Sequence, residues 1–263
     1  MNRRRRTVVA SAVALLATLG LSACDGGIQI GDGAAGPRAT LEQDISAVTA
    51  VDIRASGTMR VVAGDEPSLT ITAGERVLER ITAVVQGETL TIDLPGAWLN
   101  AGAIQYELVT PALSAVTISG SADVSGELAP AGDEVAVRIT GSGTVDLTGA
   151  DGAEITVDIG GSGDVELADV AARTVQVTID GSGGVGITGT TDALDVAIPG
   201  SGSFRGEDLA AQDATVSIRG SGSAVVAAAR TLDVRIAGSG DVSYLGDPEV
   251  TEDVSGSGDV GPA

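Results

Sequence analysis

Seven serines recur along this chain, each held between two glycines: Ser142, Ser162, Ser182, Ser201, Ser221, Ser239 and Ser257. A hydroxyl in so small a setting raises the question of nucleophilic chemistry. A Ser-His-Asp triad needs an imidazole base, and the chain has no His. No Gly-x-Ser-x-Gly elbow is present, and the absence of Lys and of a following helix argues against a phosphate loop. Two carboxylates for glycoside hydrolysis could come from 36 acidic residues, yet the aromatics that build sugar subsites number only four: Trp98, Tyr106, Phe204 and Tyr244. The reading is of a chain with no catalytic residues, not an enzyme.

Metal chemistry is the next candidate. Acids follow the glycines at Asp123, Asp164, Asp241 and Asp259. "GGSGDVEL" at Gly160–Leu167 is close to the Gly-Gly-x-Gly-x-Asp nonapeptide that binds Ca²⁺ in a β-roll. The acid comes one place early, and Thr144, Gly184, Ser203 and Ser223 interrupt the series. No cofactor is expected, with Ca²⁺ the one alternative the clustered carboxylates leave open.

The third candidate is Cys24, the only thiol, which has no partner for an internal disulfide. It closes the run "MNRRRRTVVASAVALLATLGLSAC". Arg3–Arg6 supply a positive start, and Thr7–Leu21 is apolar but short for a membrane span. Leu21-Ser22-Ala23-Cys24 resembles a bacterial lipobox, which implies a lipoprotein signal peptide over 1–23. Cys24 is then the lipidation site and first mature residue, placing the protein outside the cytoplasm, anchored to a membrane by its acyl chains. Residues 24–44, rich in Gly, Ala, Pro and Asp, read as a flexible tether. The formal charge is -21, and loss of four arginines with the signal makes it more negative still. Such acidity excludes nucleic acid as a partner.

What would position the serines is a repeat. The first glycines of the successive motifs are Gly120, Gly141, Gly161, Gly181, Gly200, Gly220, Gly238 and Gly256, spaced by 18 to 21 residues. Around them the apolar residues alternate: Val135, Val137, Ile139, then Val145, Leu147; Ile155, Val157, Ile159, then Val165, Leu167. Period-two alternation means strands with one buried face. Each twenty-residue unit is too small to bury that face alone, so neighbouring units must stack. The expected fold is all-β: a single-stranded parallel β-helix, a solenoid with about 20-residue coils, for which parallel crossovers favour right-handed winding. The paired glycines share the buried parity and read as the inside of a corner, where two inward side chains would collide. The serines then face outward as a ladder. Outward columns also place Arg138 beside Asp158 and Arg235 beside Asp253, one coil apart.

The first part of the chain, 45–110, carries the theme less regularly. "VDIRASGTMRVV" at Val51–Val62 is in phase, "SLTITA" and "ETLTIDL" read as strands, and Glu75–Val85 as strand and loop. Residues 111–263 hold the regular coils. Trp98, in "PGAWLN", reads either as an exposed binding anchor or as a cap on the open N-terminal end of the solenoid, and edge protection favours the cap.

"VDIRASGTMRVVAGDEPSLTITA", "GETLTIDL" and "VTPALSAVTISGSADV" together resemble the bacterial head GIN domain, a family described as putative auto-transporter adhesins. The resemblance runs from about Ile45 onward. It implies a right-handed β-helix on an exported, often lipid-anchored protein of the cell envelope. Ala55 and Ala122 stand where that family's pattern expects glycines. The function expected is non-enzymatic binding, adhesion or an envelope-structural role. The membrane is reached through acylated Cys24, and a glycan or envelope protein is the partner. Ser142, Ser162, Ser182, Ser201, Ser221, Ser239 and Trp98 form the candidate binding surface. The alternatives are an envelope ligand sensor and, below it, a polysaccharide-active enzyme.

Overall fold

The structure is a computed structural model that describes residues 35–96, 102–128 and 132–263, with only the backbone of Ala153. It is a β-solenoid of about seven turns with roughly 20-residue coils. Cys24 and Trp98 lie outside the described residues.

The chain starts with β1 (Arg38–Asp44), in the stretch whose composition reads as tether. Leu41 and its alternating neighbours let it pair antiparallel with β4 (Ser68–Gly74), so the folded part begins earlier than composition suggests. Between them β2 (Ala50–Ile53) and β3 (Ser56–Ala63) form a first coil. The segment Glu75–Val85 divides into a one-turn helix, α1 (Glu75–Leu78), and β5 (Thr82–Gln86), which pairs antiparallel with β6 (Thr89–Asp93). The helix is too short to stand on propensity. Its one fully buried side chain, Val77, docks it on the core.

Next come β7 (Gln105–Thr110), β8 (Ala115–Ile118) and β9 (Ser121–Glu127). Spatial order departs from chain order here. β2 lies between β6 and β8, and β3 between β7 and β9, all parallel. The chain therefore makes one coil, runs to the end of the stack to lay down antiparallel β4 and β5, and passes back across the first coil. This end of the solenoid is closed by antiparallel strands and α1.

From β10 (Glu134–Ile139), β11 (Thr144–Thr148) and β12 (Asp151–Ile159) the coils follow in sequence: β13 (Asp164–Ile179), β14 (Gly184–Ile198), β15 (Ser203–Ile218), β16 (Ser223–Gly238), β17 (Asp241–Leu245), β18 (Glu249–Gly256) and β19 (Val260–Pro262). Each pairs parallel with its equivalent one coil away. Inward residues stack on identical types: Ile139, Ile159, Ile179, Ile198, Ile218 and Ile236 form one buried column. Within β13 the buried positions switch from Val165 and Leu167 to Val170, then to Val175 and Val177. The switch marks a bend. Asp169 turns it with a left-handed φ of +57°, which its short polar side chain tolerates.

The corner glycines are needed for a reason other than inward crowding. A Cβ built on Gly141, Gly161 or Gly181 points along the solenoid axis. It meets the carbonyl oxygen of the equivalent glycine in the preceding coil, far inside the 3.0 Å that real Cβ atoms keep. On Gly163 and Gly183 it meets that carbonyl and also the Cγ2 of a core Ile, at 2.8 and 3.0 Å. The collision is between coils, not across the interior. Ala122 stacks on Gly57, whose φ of +134° differs from the backbone of Gly143, Gly163 and Gly183 at the same corner position of later coils.

Candidate functional site

The corner that the glycines make tight carries the serines outward. Ser142, Ser162, Ser182, Ser201, Ser221, Ser239 and Ser257 are all exposed. The backbone N–H of each donates to the carbonyl of the first glycine one coil back, at 2.9–3.2 Å, as Ser182 does to Gly161 and Ser257 to Gly238. These bonds fix the rungs at the spacing of adjacent strands, about 4.8 Å. Exposed Ser56 and Ser121, paired in register, extend the column to nine serines. None of the ladder hydroxyls hydrogen-bonds another described residue, so their donor and acceptor capacity faces solvent.

Beside the serines runs the column of the corner acids, and its role is structural. Asp123 Oδ1 accepts from the N–H and the hydroxyl of Thr144, at 3.2 and 2.7 Å. Asp164 Oδ1 accepts from the N–H of Gly184 at 2.7 Å, and Asp241 Oδ1 from that of Asp259 at 3.0 Å. Where the lower coil has Thr144, Gly184, Ser203 or Ser223 instead, the same N–H goes to a glycine carbonyl: Asp164 to Gly143, Ser203 to Gly183, Ser223 to Gly202, Asp241 to Gly222. Each Asp with a coil above it thus staples that coil. The Ca²⁺ alternative finds no support, since among the described residues no group of three or more acids or other ligands is placed to hold a metal. The staple has a local substitute, the glycine carbonyl beneath it. Asp164→Ala should therefore cost only about 1 kcal/mol, read as a small drop in the urea midpoint, and Asp164→Asn less.

Gly184 and Gly186 interrupt the outer face of β14. Arg205 from the coil above and Glu166 from the coil below meet across this notch as an ion pair. One coil-to-coil pair expected from spacing is present: Arg138 Nη2 lies 3.0 Å from Asp158 Oδ2. Arg235 is in register with Asp253 but bonds Asp233, its neighbour on the same strand. On the next column Asp213 is held below the ordinary carboxylate range, first by the Thr231 hydroxyl and then by Arg230.

Two larger grooves lie on the outer surface of the described residues. One, of about 620 Å³, is lined by Asp133, Glu134, Glu154, Arg173 and Asp192. The other, of about 330 Å³, lies over β3, β4 and β7, where Thr58, Arg60, Thr70, Thr72, Gln105 and Glu107 present hydroxyl, amide, guanidinium and carboxylate groups together. Its floor is Tyr106, 2% exposed, whose phenol burial pushes up and whose OH donates to Ser56 O at 3.3 Å. Sequence reading missed both grooves. The second forms where β4 runs antiparallel to β7, a pairing the repeat does not announce.

The family model described as "Putative auto-transporter adhesin, head GIN domain" matches residues 47–248. The chain belongs to the head GIN domain family. The match spans both the irregular N-terminal coils and the regular ones of this head GIN domain. Solved structures share its fold. A crystal structure named a putative adhesin, from Parabacteroides merdae, superposes with a TM-score of 0.79 at 21% identity, covering 87% of this chain and 97% of that one. A putative lipid binding protein from Parabacteroides distasonis gives 0.78 at 23%, with 87% and 97% covered. A putative adhesin from the same species gives 0.78 at 22%, with 87% and 98% covered. No curated protein matches the sequence.

Proposed function

We propose that this head GIN domain is a non-enzymatic binding protein of the cell envelope, exported and fastened to a membrane through an acylated Cys24. Its solenoid holds a polar binding surface away from the lipid. The observation that carries the reading is the serine ladder: nine exposed hydroxyls in one column at strand spacing, on a rigid corner, with no bond inside the described protein. Exposed, regularly spaced hydroxyls suit the hydroxyl groups of a glycan or the polar face of an extended envelope protein. Membership of an adhesin family supports adhesion, and neighbours named adhesins and a lipid binding protein point the same way. An anchor made of acyl chains also explains how so acidic a protein stays at a membrane without basic residues to hold it.

The experiment pairs two variants. Cys24→Ser should abolish incorporation of labelled fatty acid and release the protein from the membrane fraction. Ser162, Ser182 and Ser201 replaced together by Gln should weaken binding of purified protein to envelope glycan or envelope protein fractions. The expected loss is at least about tenfold, or about 1.4 kcal/mol, with thermal unfolding unchanged. Full binding by the triple variant would move the site off the ladder, and retained labelling of Cys24→Ser would end the lipoprotein reading.

A further inference from the structure

The groove over Tyr106 holds two opposite charges that do not neutralise each other. Arg60 on β3 and Glu107 on β7 stand in register on neighbouring parallel strands, both exposed and both lining the groove. Neither makes an ion pair or a hydrogen bond with any described residue. Other arginines of this molecule behave differently. Arg138 and Asp158, in the same parallel register one coil apart, close to 3.0 Å. Arg235 misses Asp253 but takes Asp233 on its own strand. Arg60 has neither arrangement.

Hydroxyls surround this pair, and the rim beside it is fixed. Thr70 is in register with Glu107 on its other side, and Thr58 and Thr72 flank Gln105, two residues along. Arg38 reaches from β1 across β4 to donate from Nη2 to Gln105 Oε1 at 2.7 Å, and the Thr40 and Thr72 hydroxyls bond each other at 3.0 Å. These bonds tie three strands together, so the polar groups are set in place before a ligand arrives. The amide N–H groups of Gln105 are left unused by the described residues.

We propose that this groove is a second binding site, independent of the serine ladder, for the head group of an α-amino acid: a carboxylate and an ammonium on one carbon, whether free or carried on a larger molecule through the side chain. The guanidinium fork of Arg60 matches a carboxylate bidentately. Glu107, one strand spacing of about 4.8 Å away, accepts from the ammonium. The Thr58, Thr70 and Thr72 hydroxyls and the Gln105 amide take the remaining donors and lone pairs. Charge selects this occupant. At a formal -21 the protein repels an anion, and a simple cation leaves Arg60 without a partner, whereas a zwitterion answers both groups at no net charge. An ordinary peptide end offers one of the two charges, not both. The volume of about 330 Å³ is at the small end for ligand sites and suits an amino acid better than a polymer.

The test titrates L-alanine against the full chain in non-ionic detergent by saturation-transfer NMR, beside N-acetyl-L-alanine, L-alanine methyl ester and phosphoethanolamine. L-Alanine should bind with a Kd of about 1 mM or tighter, and the two derivatives, each lacking one charge, at least about tenfold more weakly. Arg60→Gln should weaken L-alanine by a similar factor and leave the methyl ester unchanged, because the ester has no carboxylate to lose. Glu107→Gln should weaken L-alanine and leave N-acetyl-L-alanine unchanged. The variant with Ser162, Ser182 and Ser201 replaced by Gln should bind L-alanine as the wild type does, which separates this site from the ladder. Both groove positions are exposed, and unchanged circular dichroism shows that each variant is folded; if one is not, the derivative series on the wild type decides. L-Alanine binding no tighter than its derivatives overturns the proposal. So does tighter binding of phosphoethanolamine, full L-alanine binding by a folded Arg60→Gln or Glu107→Gln, or its loss in the serine variant.

Discussion

Gly181→Ala and Gly183→Ala should each cost about 3 kcal/mol or more, at the upper end of overpacking penalties, whereas Gly186→Ala should be nearly neutral. All three sit in one short stretch of a single coil, and all three replace hydrogen with methyl. The difference is what the methyl meets. At Gly181 and Gly183 it is the carbonyl of a glycine one coil down, part of a backbone pinned by the Ser182-to-Gly161 hydrogen bond and its equivalents along the corner. Relief would require separating two coils, and with them the strand pairs on either side. At Gly186 it is the carboxylate of Glu166, the free end of a flexible side chain that can swing away, giving up an exposed ion pair with Arg205 worth about 1 kcal/mol or less. Urea unfolding of the three variants gives the answer. Equal midpoints would mean that the corner can open, and the inter-coil account of the glycines would fall.

Val196→Glu should abolish cooperative folding at neutral pH. Val196 is fully buried in the inward column that runs on through Val216 and Val234 to Glu252. A carboxylate there has coils above and below it, no water and no partner, at a cost of about 4 kcal/mol or more. A domain of total stability about 5–15 kcal/mol does not absorb that easily. The same side chain at position 252, in register with Val234, is exposed. The comparison isolates burial from identity, and a Val196→Glu variant with a wild-type melting curve would show that the column is not sealed.

Much of this molecule was legible from its residues because a parallel solenoid writes tertiary contacts into local spacing. Residue i packs on residue i+20, so a repeat of about twenty with two-residue alternation is already a contact map. Val137, Val157 and Val177 are stacked because they are alike and equally spaced. The outward serines followed from the same parity.

Where the spacing changes, that logic stops. β1 looked like tether because seven residues with one large aliphatic carry little pattern; only β4, about thirty residues on, gives it a partner. α1 is one turn long and exists because Val77 has a core to enter. The corner acids suggested a cation by composition, but whether a carboxylate faces a metal or the N–H of the next coil depends on a few ångströms of rise that no residue type encodes.

Sequence by itself determined the coil, its period, its buried columns and its exposed ladder, since each depends on neighbours at a constant interval. Tertiary structure alone decided the crossing of the first coil, the antiparallel closure of one end, the groove over Tyr106 and the direction of the glycine clash. Those depend on contacts between segments with no common period, and on the axis along which two backbones meet.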